Sequence, residues 1–321
     1  MEEQFLNLTE ENLDQEHLCC IIRSKKPHPG VEAKRAWLRE RLREGHVFRK
    51  LDAKGVVFIE YAPLETAWVP VEGDNYLYIY CLWVSGEFKG RGYGRQLMEY
   101  CLADARAREK SGVCMLGAEK QKAWLSDQAF AEMYGFETVD PTPEGYRLLA
   151  LSFDGTKPRF GKNAKVQAIE NQKLTVYYTS QCPYIHQSVE LVRKTCEELE
   201  APCTLIPVDT LEKAKALPCV GVFQSCHSTD CAGFRFLHRL IFSSGIDPYL
   251  IHFFPRCSGS IWQIQSFLHR KCSTGDFHMR QSHSLRITGD LIDPCSELLR
   301  IRRLLCKLHD PIQESFHPAH T

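Results

Sequence analysis

The chain has 321 residues with 40 basic and 40 acidic side chains, so its formal net charge is zero. This balance gives no global field to attract nucleic acid, and no run of about 18 uncharged apolar residues predicts a membrane span. We therefore expect a cytoplasmic enzyme with no nucleic-acid or membrane partner, and the length predicts about two domains. No signal-peptide pattern is seen, so the 15 cysteines predict reduced thiols.

Hydrophobic periodicity predicts alternating helices and strands over roughly the first half of the chain. In chain order these are a helix capped by Thr9 and carrying Cys19 and Cys20, a helix over 31–43, strands over 46–50, 56–61 and 76–84, a helix after Gly94, a strand over 113–116, a helix over 127–134, and strands near Phe136 and Tyr146.

A glycine-rich turn stands between an apolar strand and a helix. Gly90, Gly92 and Gly94 follow the strand that ends at Val84. Glycines let a ligand approach the backbone closely, and the N-terminus of the following helix attracts an anion. The segment therefore predicts a pyrophosphate cradle. It lacks the Lys-Ser/Thr pair of a Walker loop and the G-x-G-x-x-G spacing of a dinucleotide fingerprint.

The pattern Lys89-x-x-Gly92-x-Gly94 resembles the coenzyme A signature [RQ]-x-x-G-x-[GA] of the GNAT N-acetyltransferases, with Lys in place of Arg or Gln. Flanking blocks are similar to one branch, the YoaP-like GNAT acetyltransferases. These blocks are His17–Cys20, Trp37–Leu38, Val57–Tyr61, Cys81–Gly86, Leu125–Asp127 and Tyr134–Phe136. The resemblance implies the GNAT acyl-CoA N-acyltransferase fold, an α/β (α+β) fold with a mixed central sheet.

The same resemblance implies an N-acetyltransferase that passes the acetyl group of acetyl-CoA directly to an amine in a ternary complex. The acceptor is a small-molecule or peptide amine. Leu82, Trp83 and Val84 are expected along the pantetheine arm. The pyrophosphate is expected against Lys89, Gly90, Arg91, Gly92, Tyr93, Gly94 and Arg95.

The proton donor cannot be assigned from the family pattern. Many GNAT enzymes carry a tyrosine four residues before the glycine of a closing Gly-Phe pair, and here that position is Ala131. Tyr134 is out of register, and we interpret it as a core residue. Ser126 and Asp127 are the remaining candidates, although both also suit a helix N-cap.

Two residues are candidates for the base. Glu60 shares a strand face with Phe58 and can point into a cleft, but an exposed or salt-bridged carboxylate is the alternative. Tyr80 lies beside the signature strand. Both remain candidates on the sequence alone.

A second domain is expected after a linker. The strand 174–178, Cys182-Pro183 at a helix start, the strand 203–208 and Leu217-Pro218 resemble the opening of a thioredoxin fold. We therefore predict a GNAT domain over 1–155, a linker over 156–172 and a YoaP-type thioredoxin-like fragment over 173–220. Cys182 is a candidate redox thiol at a helix N-terminus, yet Ile185 occupies the position of a second cysteine.

That thiol supports a rival function. In this alternative the protein is a CoA-binding thiol or small-molecule sensor without transfer activity, and Cys182 is its reactive group. An inert structural cysteine is the other interpretation.

Composition changes beyond Val220. Residues 221–321 contain nine of the 13 histidines but only one valine. We interpret them as an atypical, poorly ordered tail rich in Cys, His and Ser, which leaves the small domain as an incomplete two-stranded sheet. One hypothesis is out-of-frame or otherwise aberrant translation. The alternative is a zinc site on Cys226, His227, Cys231 and His238, but tandem C-x-x-C spacing is missing and no metal is predicted.

Overall fold

A mixed sheet lies at the centre of the computed structural model, which describes residues 4–20, 27–53, 56–122, 125–165, 174–198, 202–220 and 223–226. The strands in this part of the chain are β1 (Phe5–Asn7), β2 (Val47–Leu51), β3 (Val57–Pro63), β4 (Val71–Glu72), β5 (Tyr76–Val84), β6 (Gly112–Ala118), β7 (Glu137–Pro141), β8 (Tyr146–Ser152), β9 (Arg159–Phe160), β10 (Leu174–Tyr178), β11 (Cys203–Pro207) and β12 (Phe223–Cys226). The helices are α1 (Pro29–Leu42), α2 (Tyr93–Ala107), α3 (Gln128–Glu132), α4 (Pro183–Glu198) and α5 (Leu211–Lys215).

The central sheet has seven strands in the order β1-β2-β3-β5-β6-β8-β7. Its β5–β6 pair is parallel and its other pairs are antiparallel. This arrangement confirms the expected mixed sheet.

The two central strands β5 and β6 separate partway along their length. Their pairing runs from Tyr76 opposite Gly112 to Ile79 opposite Met115 and then stops. The register of β3 with β5 shifts at the same level, because Tyr61 faces Ile79 whereas Glu60 faces Cys81, so Tyr80 is an extra residue in β5. A bulge bends its strand and disrupts the ladder, which explains why β5 leaves β6 at this point.

Helices α1 and α2 pack on opposite faces of this sheet. The apolar side of α2, including Leu97, Met98 and Cys101, shares a cluster with Ile59 and Ile79. On the other face, Trp37 and Leu38 of α1 join Phe48 and Phe58. The alternation of β3 therefore directs Ile59 toward α2 and Phe58 toward α1.

A smaller sheet has three strands in the order β11-β10-β12. Strand β10 is parallel to β11 and antiparallel to β12. The expectation of a two-stranded fragment is therefore wrong, because Phe223–Cys226 pairs with β10. An unpaired strand edge offers a ladder of backbone donors and acceptors, and it accepts a segment with few β-branched residues. Residues 227–321, with three of the four proposed zinc ligands, lie outside the described residues.

The apolar core continues across the predicted domain boundary. Strand β9 pairs with β4, and Phe160 and Val220 are buried in the same cluster as Tyr76. Leu217 and Cys219 share a cluster with the tryptophans of the α1 face. The division at residue 155 stays a prediction, and truncation there would expose these contacts.

The helix expected after Thr9 is absent from the described N-terminal segment, where residues 10–15 form turns. The Asn12 carboxamide accepts a hydrogen bond from the Thr9 N–H at 2.8 Å and donates to the Asn7 carbonyl at 3.1 Å. Such side-chain bonds to the local backbone compete with helix formation. Cys19 and Cys20 consequently lie in irregular chain rather than on a helix.

Over the described ranges, no helix is both long and apolar enough to cross a membrane.

Candidate active site

The glycine-rich turn leads directly into α2. Gly90 has φ +76° and Gly92, the N-cap of α2, has φ +83°, values that favour glycine. The hydrogen bond that begins α2 runs from the Gln96 N–H to the Gly92 carbonyl at 3.1 Å. The backbone N–H groups before Gln96 lie at the N-terminus of the helix, where they can donate hydrogen bonds to an anion. A Cβ added at either glycine would meet nothing within 4 Å, so the turn faces open space.

Basic side chains border this turn. Lys89, Arg91 and Arg95 are exposed, and the Arg91 guanidinium lies 5.5 Å above the Phe88 ring. Tyr93 is buried and contacts the Phe5 ring edge-on, so only its backbone faces the turn. The predicted pyrophosphate residues are therefore contiguous on one surface.

Tyr134 lies against the first turn of α2. Its hydroxyl forms a hydrogen bond with Arg95, and burial raises the pKa of Tyr134. Phe130 packs edge-on against it with 5.3 Å between ring centroids. Tyr134 is half-buried and packs against the apolar cluster on the α2 side of the sheet, in line with its interpretation as a core residue, and it also borders the turn.

The separated end of β5 presents backbone N–H groups toward the opening. The Ser85 N–H donates to the Val56 carbonyl of the neighbouring segment at 2.8 Å. Because residues in an antiparallel ladder alternate, the N–H groups of Leu82 and Val84 point away from β3.

Two side chains, one just before α3 and one within it, contact the two strands that border this opening. The Leu82 N–H donates to Ser126 Oγ at 2.9 Å, and the Ala118 N–H of β6 donates to Gln128 Oε1 at 2.9 Å. Ser126 thus contacts β5 while Gln128 contacts β6. The loop before α3 places a hydroxyl at the open edge of β5.

A second glutamine organises that loop. The Gln121 amide donates to the carbonyls of Leu125 at 3.2 Å and Ser126 at 3.3 Å, and its Oε1 accepts from the Gln128 N–H at 3.1 Å. The Asp127 carboxylate accepts from the Phe130 N–H at 3.2 Å, so Asp127 caps α3. Ala131 is fully buried.

A buried ion pair lies on the α1 face. Glu60 is 3% exposed, and its Oε1 contacts the ammonium of Lys34, which is 0% exposed. His46 Nε2 lies 2.9 Å from the same oxygen, and the Gln181 amide donates to Glu60 Oε2 at 3.3 Å. Each carboxylate oxygen therefore has a partner, as a buried charge requires.

These surroundings determine the protonation of the cluster. Burial favours the neutral carboxyl, but the Lys34 charge and the His46 hydrogen bond outweigh it and lower the pKa of Glu60. Burial lowers the pKa of His46, although Glu60 opposes that shift. Glu60 is thus an ionised carboxylate whose low pKa disfavours accepting a proton.

Tyr80, the bulged residue of β5, is also enclosed. Its hydroxyl accepts from the Trp68 N–H at 2.7 Å, and its ring stacks on His46 at 5.2 Å. Burial raises the pKa of Tyr80 well above its usual range. Tyr80 and Glu60 therefore belong to one buried network on the α1 face.

Several thiols meet beside this network. The Cys20 thiol forms hydrogen bonds with the thiols of Cys19 and Cys81. Cys182 is half-buried at the start of α4, and burial raises the pKa of its thiol to about 12. Among the described His, Cys, Asp and Glu side chains, no group of three or more is arranged to hold a metal ion.

The structure brings together residues that the sequence analysis left apart. Ser126 joins Leu82, and Glu60 joins Tyr80 through His46. Lys34 was missed, although its spacing from Trp37 and Leu38 on α1 places it on the apolar face of that helix. The glutamines were also missed, because glutamine carries no distinctive sequence signal.

Comparison with known proteins gives matches over this region. The acetyltransferase (GNAT) family model matches residues 11–136. An uncharacterized N-acetyltransferase of Bacillus subtilis (strain 168), YoaP, is 34% identical over 218 residues, which cover 67% of this chain and 87% of the relative.

Solved structures also match the chain. Ard1 from Thermoplasma volcanium has a TM-score of 0.34 and 14% identity, over 47% of this chain and 98% of its own. A GNAT family acetyltransferase from Brucella melitensis in complex with acetyl-CoA has a TM-score of 0.34 and 14% identity, over 50% of this chain and 93% of its own.

Proposed function

Because the chain belongs to the GNAT acetyltransferase family, we propose that it transfers the acetyl group of acetyl-CoA directly to an amine held in the same complex. One observation carries this proposal. The opening between β5 and β6 lies beside the glycine-rich N-terminus of α2, and the Leu82 and Val84 amides point into it.

The substrate acetyl-CoA fits these features at two points. Its pyrophosphate suits the amides of the Gly90–Gly94 turn, with Lys89, Arg91 and Arg95 supplying charge. Its pantetheine arm suits the open edge of β5, where a chain with amide groups can pair like a further strand. Leu82, Trp83 and Val84 would then line the arm, and these are the residues that the family resemblance implies.

Acetyl transfer forms a bond between the amine nitrogen and the acetyl carbon and breaks the bond between that carbon and sulfur. Negative charge develops on the carbonyl oxygen and then on the departing sulfur. The amine nitrogen loses one proton to water, and the CoA thiolate leaves and takes up one proton to become the free thiol. A backbone N–H aimed at the oxygen stabilises the first charge. We assign this role to Leu82, whose N–H already donates to an oxygen, that of Ser126.

Ser126 is the hydroxyl placed to assist the departing sulfur. Its Oγ accepts from Leu82 in the free protein, so its own O–H can donate elsewhere. We propose that the thioester carbonyl takes over the Leu82 N–H and that the Ser126 hydroxyl then donates to the reacting group. Asp127 is left to cap α3, and Glu60 and Tyr80 support the α1 face of β5.

Ser126→Ala should lower kcat for acetyl transfer about fivefold, because one hydroxyl hydrogen bond contributes about 1 kcal/mol. The KM for acetyl-CoA should stay equal or fall, since the serine no longer competes for the Leu82 N–H. Steady-state release of the CoA thiol measures both constants. Ser152→Ala is the matched control, because Ser152 Oγ, at the end of β8, likewise accepts a backbone N–H, from Gly155 at 2.9 Å. A rise in KM at unchanged kcat would show that Ser126 only supports binding.

The rival sensor function requires a reactive thiolate at Cys182. A pKa of about 12 keeps that thiol protonated at neutral pH, and a protonated thiol is a poor nucleophile. This observation favours the transferase.

Calorimetry with acetyl-CoA tests the proposal first, followed by release of the CoA thiol in the presence of mixed amines. We expect saturable binding and amine-dependent thiol release. Binding without release for any amine would support the sensor, and no binding would contradict both functions.

A further inference from the structure

We propose that the acceptor is a small-molecule amine rather than a peptide or protein, because residues of this chain cover the face of the sheet from which the amine must approach. This inference rests on the proposed acetyl transfer. It concerns the size of the substrate, not the reaction.

The direction of approach follows from the open edge of β5. A thioester carbonyl that accepts the Leu82 N–H lies near the plane of the sheet, as inter-strand hydrogen bonds do. An amine attacks a carbonyl carbon from above or below the plane of the carbonyl group, and strand-like pairing with β5 would hold that plane near the plane of the sheet. One side is filled by α2, whose Leu97 and Met98 pack on Ile59 and Ile79. The amine must therefore arrive from the side of Glu60 and Trp37.

Two segments of the chain, here called the cover, lie over that side of β5. One contains Cys20, and the other contains Gln181 and leads into α4. Glu60 faces Cys81 directly across the β3–β5 pair, and Gln181 binds the Glu60 carboxylate. The Cys20 thiol touches the Cys81 thiol. Both segments are thus beside the residue that precedes Leu82.

Helix α1 closely approaches the start of α4 beside this cover. A Cβ added to Gly30 of α1 would lie 2.2 Å from the Pro183 carbonyl oxygen, so α1 and the start of α4 are in backbone contact. His186 of α4 and His28 before α1 also meet edge-on, with 6.5 Å between their ring centroids. This contact leaves no groove for an extended peptide between α1 and the start of α4 at Gly30.

The cover is also anchored away from the opening. The Lys215 ammonium donates to the carbonyls of Leu64 at 2.7 Å and Val71 at 3.2 Å. Leu217 and Val208 are buried in the same apolar cluster as Trp68. Residues Cys81, Leu82, Trp83 and Val84 nevertheless remain partly exposed, which leaves an opening for a small amine.

The test measures kcat/KM of the full chain with acetyl-CoA for two panels. One contains spermidine, ethanolamine and glycinamide, and the other contains hexapeptides with a free N-terminus or an internal lysine. We expect the best small amine to exceed the best peptide at least tenfold. A peptide that equals or exceeds the small amines would overturn this inference while supporting acetyl transfer. Absence of acetyl-CoA binding by calorimetry would instead contradict the proposed function, and the inference with it.

Variants of the cover give a second test. Gly30→Ala forces the start of α4 away from α1, and Gln181→Ala removes the bond to Glu60 without a backbone clash. Each should raise the ratio of peptide to small-amine kcat/KM at least threefold, and Gln181→Ala serves alone if Gly30→Ala fails to fold. Ala36→Ser, at an exposed position of α1, should leave the ratio unchanged. An unchanged ratio in folded Gln181→Ala would count against the cover.

Discussion

Gly92→Glu is expected to weaken acetyl-CoA binding at least tenfold, or about 1.4 kcal/mol. Gly92 is the N-cap of α2, and its surroundings are open, so a side chain there extends into the space proposed for the pyrophosphate. The added carboxylate also repels a polyanion at the helix N-terminus, where a negative ligand would otherwise be favoured. Calorimetry at fixed ionic strength measures the loss.

The matched control is Gly155→Glu. Gly155 has φ +87° and nothing within 4 Å of an added Cβ, so this variant carries the same backbone strain away from the turn. Both variants should lose similar stability on heating, and only Gly92→Glu should lose binding. Equal affinity of folded Gly92→Glu and the parent protein would rule out the turn as the pyrophosphate site.

Lys34→Met is expected to lower the free energy of unfolding by about 3–5 kcal/mol, because removing one member of a buried ion pair leaves the other member without its partner charge. Glu60, which is 3% exposed in the parent protein, would then face a thioether and lose the main positive charge that offsets its burial. Denaturant unfolding at pH 7 measures the change. The loss should begin to shrink as the pH falls below the unfolded pKa of Glu60, about 4.3, and shrink further through its lower folded pKa, because the stability from a lowered pKa is complete only above the unfolded value.

Two further variants distinguish the effect of an unpaired buried charge on stability from the effect of losing any lysine side chain. Lys34→Met combined with Glu60→Leu should recover most of the stability, since replacing both members of a buried pair by apolar groups is often neutral. Lys213→Met should cost less than about 1 kcal/mol, because Lys213 and Asp209 pair at 52% and 57% exposure. A double variant as unstable as Lys34→Met would show that packing, not charge, holds this position.

The sequence predicted those helices and strands whose formation depends on residues close together in the chain. Strands β5 and β10 have the bounds expected from their apolar runs, and a helix follows the glycine-rich turn as expected. The expected mixed sheet and the family membership are confirmed. The strands and the helix follow from alternation, glycine conformation and helix periodicity, which neighbouring residues determine, whereas the mixed sheet and the family were implied by the resemblance to GNAT acetyltransferases.

The sequence by itself determined the glycine-rich turn and the absence of a tyrosine at position 131, and its resemblance to GNAT acetyltransferases implied the fold. Only the tertiary structure decided that Glu60 is held by Lys34, His46 and Gln181, since these residues are distant in the chain and their pairing depends on burial. It also decided that β12 pairs with β10 and that Ser126 reaches Leu82. Hydrogen bonds between distant segments leave no periodic pattern in a sequence, because each is formed by the three-dimensional approach of two backbones or side chains.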